Sequence, residues 1–295
     1  MRCFTDRLDE RREIHELQRL VGRDRFRCVS PWADRNCAAL AERFAAHLVA
    51  LYPLPVPEAP RHFGYYDPAL LNPFFEEWRA RAREAADKTR ALFDHITGLR
   101  AVSAEWREIP EGADADPAVH ARYADLAILG QLDPDGGGSD TLQPRPEQVA
   151  IASGRPILVV PYAGNFPNVG QRVVIGWNAS REAARAVSDA MPVLMAAEIV
   201  TVLTIDPREG PRAHGELPGA DISLHLARHG VKAEIERTVS ADLPVGEVLL
   251  SRVADLGADL LVMGAYGHSR VRELLLGGAT RSLLRSMTLP VLMSH

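Results

Sequence analysis

The densest concentration of chemistry-bearing residues runs from 260 to 280, LLVMGAYGHSRVRELLLGGAT. Gly264 and Gly267 follow directly on an apolar run, and Gly277 comes after nine intervening residues with Gly278 beside it. Glycines just after a strand let the backbone turn sharply and let a ligand come close. Gly277 and Gly278 would open a short helix whose N–H groups and dipole favour an anion. Ser269, Thr280 and Ser282 bring hydroxyls to this segment, and Arg270, Arg272 and Arg281 bring positive charge. Such a set can cradle phosphate. The same glycines can also do no more than shape a tight strand–loop–helix connection, and spacing alone leaves both readings open.

The remaining candidates have simpler readings. His225 and His229 stand four apart on a helical pattern, with His214 upstream, a spacing able to hold a metal. The segment lacks the Glu of an H-E-x-x-H pair, and His229 before Gly230 suits a helix C-terminus. No metal site is expected. Cys28 and Cys37 have no nucleophile motif around them and read as buried or incidental thiols. Asp206 and Asp221 read as loop and cap residues. Trp177, next to Asn178, can stack on a base or fill the buried face of a strand. Residues 105–108 (EWRE) alternate as a strand with one solvated face, and the charged run 79–90 reads as the solvated side of a helix.

The elements that must position these residues occur twice. Residues 124–130 (ADLAILG) read like 258–264 (ADLLVMG), and 155–160 (RPILVV) read like 289–294 (LPVLMS) at the same offset. The starts match more loosely: 35–39 resembles 181–185, 47–51 resembles 198–202, and 102–105 resembles 231–234. Two copies of one unit describe the chain better than one large domain. In the second copy, strands are expected at 172–178, 199–205, 231–239, 260–263 and 290–293. Helices are expected at 180–195, with Ser180 as N-cap, and at 220–229, 245–256 and 279–286. Apolar runs such as 157–160 and 260–263 do not alternate, which marks strands buried on both faces. Strand–helix alternation of this kind gives an open parallel α/β sheet with ligands at the C-terminal strand ends. Residues 161–170 read as a linker, separating a first unit at 1–163 from a second at 170–295. The stretch 53–73, with six prolines, and the Gly/Pro-rich 133–146 read as loops of the first unit.

Composition bounds the class. The chain has 295 residues, 46% hydrophobic and 25% charged, with a net charge of −5. That is ordinary globular composition, and it argues against nucleic-acid binding and against a polybasic membrane anchor. No apolar run approaches the roughly 18 residues of a membrane span, and residues 1–27 have no signal-peptide core. Three cysteines without a C-x-x-C pair suit a reducing cytoplasm.

The glycine spacing G264-x2-G267-x9-G277 resembles the nucleotide-binding pattern of the universal stress protein family. The strand ending Val-Met-Gly, the Leu-rich run before the third glycine and the ending Thr288-Leu289-Pro290-Val291-Leu292 are similar to that family too. The resemblance covers the second copy and, more loosely, residues 36–162. It implies tandem Rossmann-like domains, each with five parallel strands in the order 3-2-1-4-5, paired through their last strands. It also implies an ATP or AMP site built from Asn178, Ile205, Met263, Gly264, Tyr266, Gly267, His268, Arg270, Gly277, Gly278, Ala279 and Thr280. Magnesium would enter only with the nucleotide. Where the family carries an Asp, this chain has the uncharged Asn178. Where it carries Ser or Thr after the third glycine, this chain has Gly278, which loses a hydroxyl but keeps its N–H. In the first copy, Gly130 alone of the motif remains, followed by Gln131, Leu132 and Asp133, and no nucleotide is expected there.

The family's first strand is central, yet only the weak run 25–30 precedes the helix near residue 34. Either that run is the strand, or the first thirty or so residues reflect a mis-assigned start or reading frame. Upstream, Ile14, Leu17 and Val21 have the spacing of a short amphipathic helix. The expected function is a stress-response or regulatory protein whose second domain takes a nucleotide as a ligand rather than a substrate. It would be a monomer or a homodimer of paired domains. The alternative is an interaction module of the same fold without nucleotide. An ATP-dependent enzyme ranks last, because neither a Ser-Gly-Gly-x-Asp-Ser nor a G-x4-G-K-[ST] loop occurs.

Overall fold

The computed structural model describes residues 25–28, 34–54, 68–109, 116–132, 145–207, 219–265 and 278–295. The first half contains β1 (Arg25–Cys28), α1 (Asp34–Arg43), β2 (His47–Pro53), α2 (Pro68–Leu99), β3 (Ala104–Ile109), α3 (Pro117–Ala121), β4 (Leu126–Gly130), α4 (Pro146–Ser153) and β5 (Ile157–Val160). The second contains β6 (Arg172–Gly176), α5 (Arg181–Asp189), α6 (Met191–Met195), β7 (Ile199–Ile205), α7 (Ala220–Arg228), β8 (Ala233–Thr238), α8 (Val245–Asp255), β9 (Leu260–Gly264), α9 (Gly278–Ser286) and β10 (Val291–Ser294).

All ten strands form one sheet in the order β3-β2-β1-β4-β5-β10-β9-β6-β7-β8. Each half therefore runs 3-2-1-4-5 and is parallel throughout. The halves join where β5 meets β10 antiparallel, with Val159 opposite Val291, Leu158 opposite Leu292 and Ile157 opposite Met293. None of these six side chains is more than 2% exposed. The strand runs without alternation are the ones buried on both faces, as their composition requires. The outermost strands, AEWREI and AEIERT, carry the charges that keep a sheet edge from pairing with another chain.

Helices cover both faces. One core layer packs Cys37, Leu40, Phe93, Val187, Leu194 and Leu226 onto the sheet, and the opposite layer packs Val149, Leu249, Val253, Leu283 and Met287. Each layer takes residues from both halves, so the core continues across the seam. In the second half, β6 feeds a helix on the first layer, while α8 and α9 lie on the second. The direction of winding thus reverses between β6 and β9. Asp259, just before β9, ties down the entry to this half. Its carboxylate accepts the backbone N–H groups of Gly170, Gln171 and Arg172 at 2.7–3.1 Å.

Of the two alternatives for the first strand, the run 25–30 supplies it: residues 25–28 pair on one side with β2 and on the other with β4. The composition Arg-Phe-Arg-Cys made it a weak candidate, because two-sided pairing is a backbone property. Other expectations differ from the structure. The proposed helix around Ile14, Leu17 and Val21 lies outside the described residues. The proline-rich loop ends earlier than expected. Pro68 opens the 32-residue α2, with Pro73 inside it, because proline at a helix start gives up an N–H that has no helical partner anyway. The helix expected at 180–195 breaks at Ala190. Pro192 has no N–H to continue the ladder, and Val193 and Leu194 bond back to the Ala190 carbonyl instead. Asp221 lies in the first turn of α7, whose N-cap is Gly219 at φ 90°. No helix among the described residues is long and apolar enough to cross a membrane.

The seam carries a direct prediction. Val159→Asp would place an unpaired carboxylate between two buried faces. It is expected to lower unfolding free energy by roughly 3 kcal/mol or more, read from urea denaturation.

Candidate functional site

The site lies beyond the C-terminal ends of β6, β7 and β9. Register sets Gly176 of β6 beside Leu203 on one side and Met263 on the other. Asn178, Ile205, Met263 and Gly264 therefore end three neighbouring strands at the point where the winding reverses. In open α/β sheets such a point leaves a crevice between diverging connections.

The turn out of β6 is built by its own side chains. The Trp177 N–H donates to the Leu203 carbonyl at 2.9 Å, which extends the ladder by one residue. Asn178 Oδ1 accepts the Ser180 N–H at 3.1 Å, and Ser180 Oγ accepts the Ala183 N–H at 3.1 Å. An Asx turn thus leads into a capped helix start. Ala179 between them has φ 55°, a left-handed conformation that these two flanking hydrogen bonds hold in place. Asn178 is exposed, and with its oxygen engaged, the carboxamide NH2 is the group left to donate to a ligand. Trp177 packs against the core cluster rather than standing open as a stacking platform.

Gly264 has a reason that its spacing did not reveal. A Cβ there would lie 2.4 Å from the Ala183 nitrogen and 2.6 Å from the Glu182 carbonyl carbon. The first turn of α5 sits directly on the end of β9, and only glycine admits that approach. The Ala265 N–H then donates to the Ser294 carbonyl, and the His295 ring nitrogen Nδ1 meets the Ala265 carbonyl at 3.1 Å.

Beside this contact Glu182 is buried, at 3% exposure, while its partner Arg181 is open to solvent. Burial pushes the carboxyl up. Hydrogen bonds from the Arg181 guanidinium and from its own backbone N–H, with the charges of Arg181 and His295, outweigh burial and hold it below the ordinary glutamate value. On the far side, Ile205 is half-buried, and Asp206, at φ 43°, accepts the Ser240 N–H at 3.0 Å as a loop residue.

α9 begins at Gly278, and Thr280 in its first turn is buried. Tyr266, Gly267, His268, Arg270 and Gly277 lie outside the described residues, as do Ser269 and Arg272; of Ala279 only the backbone is described. The structure thus brings together Asn178, Ile205, Met263, Gly264 and the start of α9 at one end of the sheet. The rings of His225 and His229 meet at a tilt of 59°, with centroids 4.8 Å apart. No group of three or more metal-ligating side chains occurs among the described residues. Sequence reasoning missed Gln131, which follows Gly130 in the first half. It is buried, and its side chain bonds to the second half. The only signal was that it breaks the repeat where the second copy has Ala265.

A parallel sheet, doubly wound about a strand reversal, defines a Rossmann-like α/β protein, here doubled across one seam. Residues 170–295 match the universal stress protein family. A universal stress protein of Synechocystis sp. (strain ATCC 27184 / PCC 6803 / Kazusa) is 38% identical over 84 residues, which are 28% of this chain and 28% of that protein. The alignment thus spans well under a third of that relative's length. The crystal structure of a universal stress protein from Archaeoglobus fulgidus DSM 4304 superposes with a TM-score of 0.62 at 14% identity, covering 92% of this chain and 96% of that one. A protein of unknown function from Pseudomonas aeruginosa PAO1 superposes with a TM-score of 0.53 at 15% identity, covering 92% of each chain. These likenesses show a shared fold over both halves. The family match itself covers residues 170–295.

Two predictions follow from the packing of α5. Gly264→Ala must push backbone off the strand, and should lower stability by roughly 1–3 kcal/mol with no ligand present, as read from urea unfolding. Unchanged stability would return this glycine to a purely ligand-binding role. For Glu182, a carboxyl held below its ordinary value contributes stability above about pH 4.3, and the contribution is lost as pH falls through the lowered folded value. Urea midpoints followed from pH 7 to pH 3 should drop further for the wild type than for Glu182→Gln.

Proposed function

We propose that residues 170–295 form a domain that binds ATP or AMP as a ligand, and that residues 1–163 form a companion domain without a nucleotide site. The observation that carries this reading is the juxtaposition at the strand reversal. Asn178, Ile205 and Met263–Gly264 end neighbouring strands there, in a half of the sheet whose last helix opens at Gly278. A base or ribose would meet the Asn178 amide and the half-buried apolar ends of β7 and β9. Phosphates would meet the N–H groups opening α9, where the dipole favours negative charge. Magnesium would accompany the phosphates. None of the described groups at this crevice pairs a nucleophile with a base, so the nucleotide acts by occupancy, biasing conformation or partner choice as in a stress-response regulator.

A second reading has a specific observation behind it. Gly264 is required by helix packing alone, so its presence does not by itself report a ligand. A non-binding interaction module of the same fold would keep it.

Calorimetry separates the two. Wild-type protein, stripped of co-purified nucleotide, is titrated with ATP in the presence and absence of magnesium. Binding should be abolished by Gly277→Asp, which adds a side chain and a negative charge beside the phosphates. Asn178→Asp keeps the Asx turn and adds a charged acceptor for ribose hydroxyls, and should tighten binding by about fivefold. No heat at millimolar ATP would overturn the nucleotide reading in favour of the interaction module.

A further inference from the structure

Gln131 joins the two halves through a polar contact that the core does not require. Its Nε2 donates to the Leu284 carbonyl at 2.8 Å and to the Arg285 carbonyl at 3.2 Å. Its Oε1 accepts the Tyr162 N–H at 3.2 Å, and its own N–H donates to the Val160 carbonyl at 2.7 Å. The residue is 6% exposed, so an amide with these bonds is held in one place. Leu284 and Arg285 belong to the last turn of α9, where helix carbonyls have no partner within the helix. Their donor comes from the other half of the chain. At the matching position of the repeat stands Ala265, buried and without a side-chain donor. The end of α4 is held differently, by the Arg185 guanidinium on the Gly154 carbonyl at 2.9 Å.

The position of this contact gives it a consequence. α9 is a single nine-residue rod, about 13 Å long. Its far end is Gly278–Thr280. We propose that Gln131 is a positioning residue. The first half, having no glycine motif of its own, uses the former start of its loop to hold α9 and thereby sets the affinity of the second half for nucleotide. The affinity arm rests on the nucleotide reading above, whereas the holding of α9 does not.

The test uses the full chain. Gln131→Met keeps bulk and removes the donors, and Gln131→Ala removes both. Arg43→Ala is the control, since Arg43 donates across the halves to Val169, Gly170 and Ala196 and not to α9. Hydrogen–deuterium exchange is followed across residues 278–286, and magnesium ATP affinity is measured by calorimetry. Both Gln131 variants should speed exchange in α9 and weaken ATP by about three- to tenfold. Arg43→Ala should leave affinity within about twofold, as expected for a site that shares no partner with α9. Exchange in α9 equal to wild type, or an affinity loss no greater than that of Arg43→Ala, overturns the proposal. If the wild type itself binds no ATP, the nucleotide reading falls and takes the affinity arm with it. A wild type that binds while the Gln131 variants match it overturns only the role of Gln131.

Discussion

The antiparallel pairing of β5 with β10 is the contact on which the rest of the molecule depends. Each half is an open sheet whose last strand is wholly apolar, ILVV in one and VLMS but for its final serine in the other. Left alone, either would present unpaired backbone and a greasy edge to solvent. Placed side by side they satisfy each other, and both core layers run across the join. The outer edges can then afford charge, and β3 and β8 carry it.

Because the pairing is antiparallel, the two halves point in opposite directions. The strand ends that hold the candidate site in the second half lie at the opposite end of the sheet from Gly130 in the first. The same geometry brings the first half's vacant strand-end position next to the tail of α9, where Gln131 finds two carbonyls. A repeat that was symmetric in backbone has become asymmetric in chemistry. The second half carries the glycines of residues 264–278, and the first lends a side chain to the helix that follows them.

At the ends of β6 and β9, packing already uses several of the residues proposed for a ligand. Gly264 is needed because α5 rests on β9. Asn178 spends its oxygen on the turn that starts α5. The Ser180 hydroxyl spends its acceptor capacity on the helix cap. Among the described residues, these strand ends leave open a donor amide, the half-buried side chains of Ile205 and Met263, and the N–H groups opening α9.

The strand and helix order of the second half and the two-copy organisation were legible in the sequence, because each depends on local pattern. Unalternating apolar runs require burial on both faces, and glycines beside a strand mark a sharp exit. Tertiary structure alone decided the rest. Arg25–Cys28 became a central strand because two neighbours offered it hydrogen bonds, which side-chain composition does not report. Ala190 ended a helix because Pro192 could not donate, although the apolar period continued past it. Gly264 acquired its steric necessity, and Gln131 its partners, from segments far away in the chain. Periodicity records which face of an element is buried, while the atoms that meet it there are set only when the halves pack.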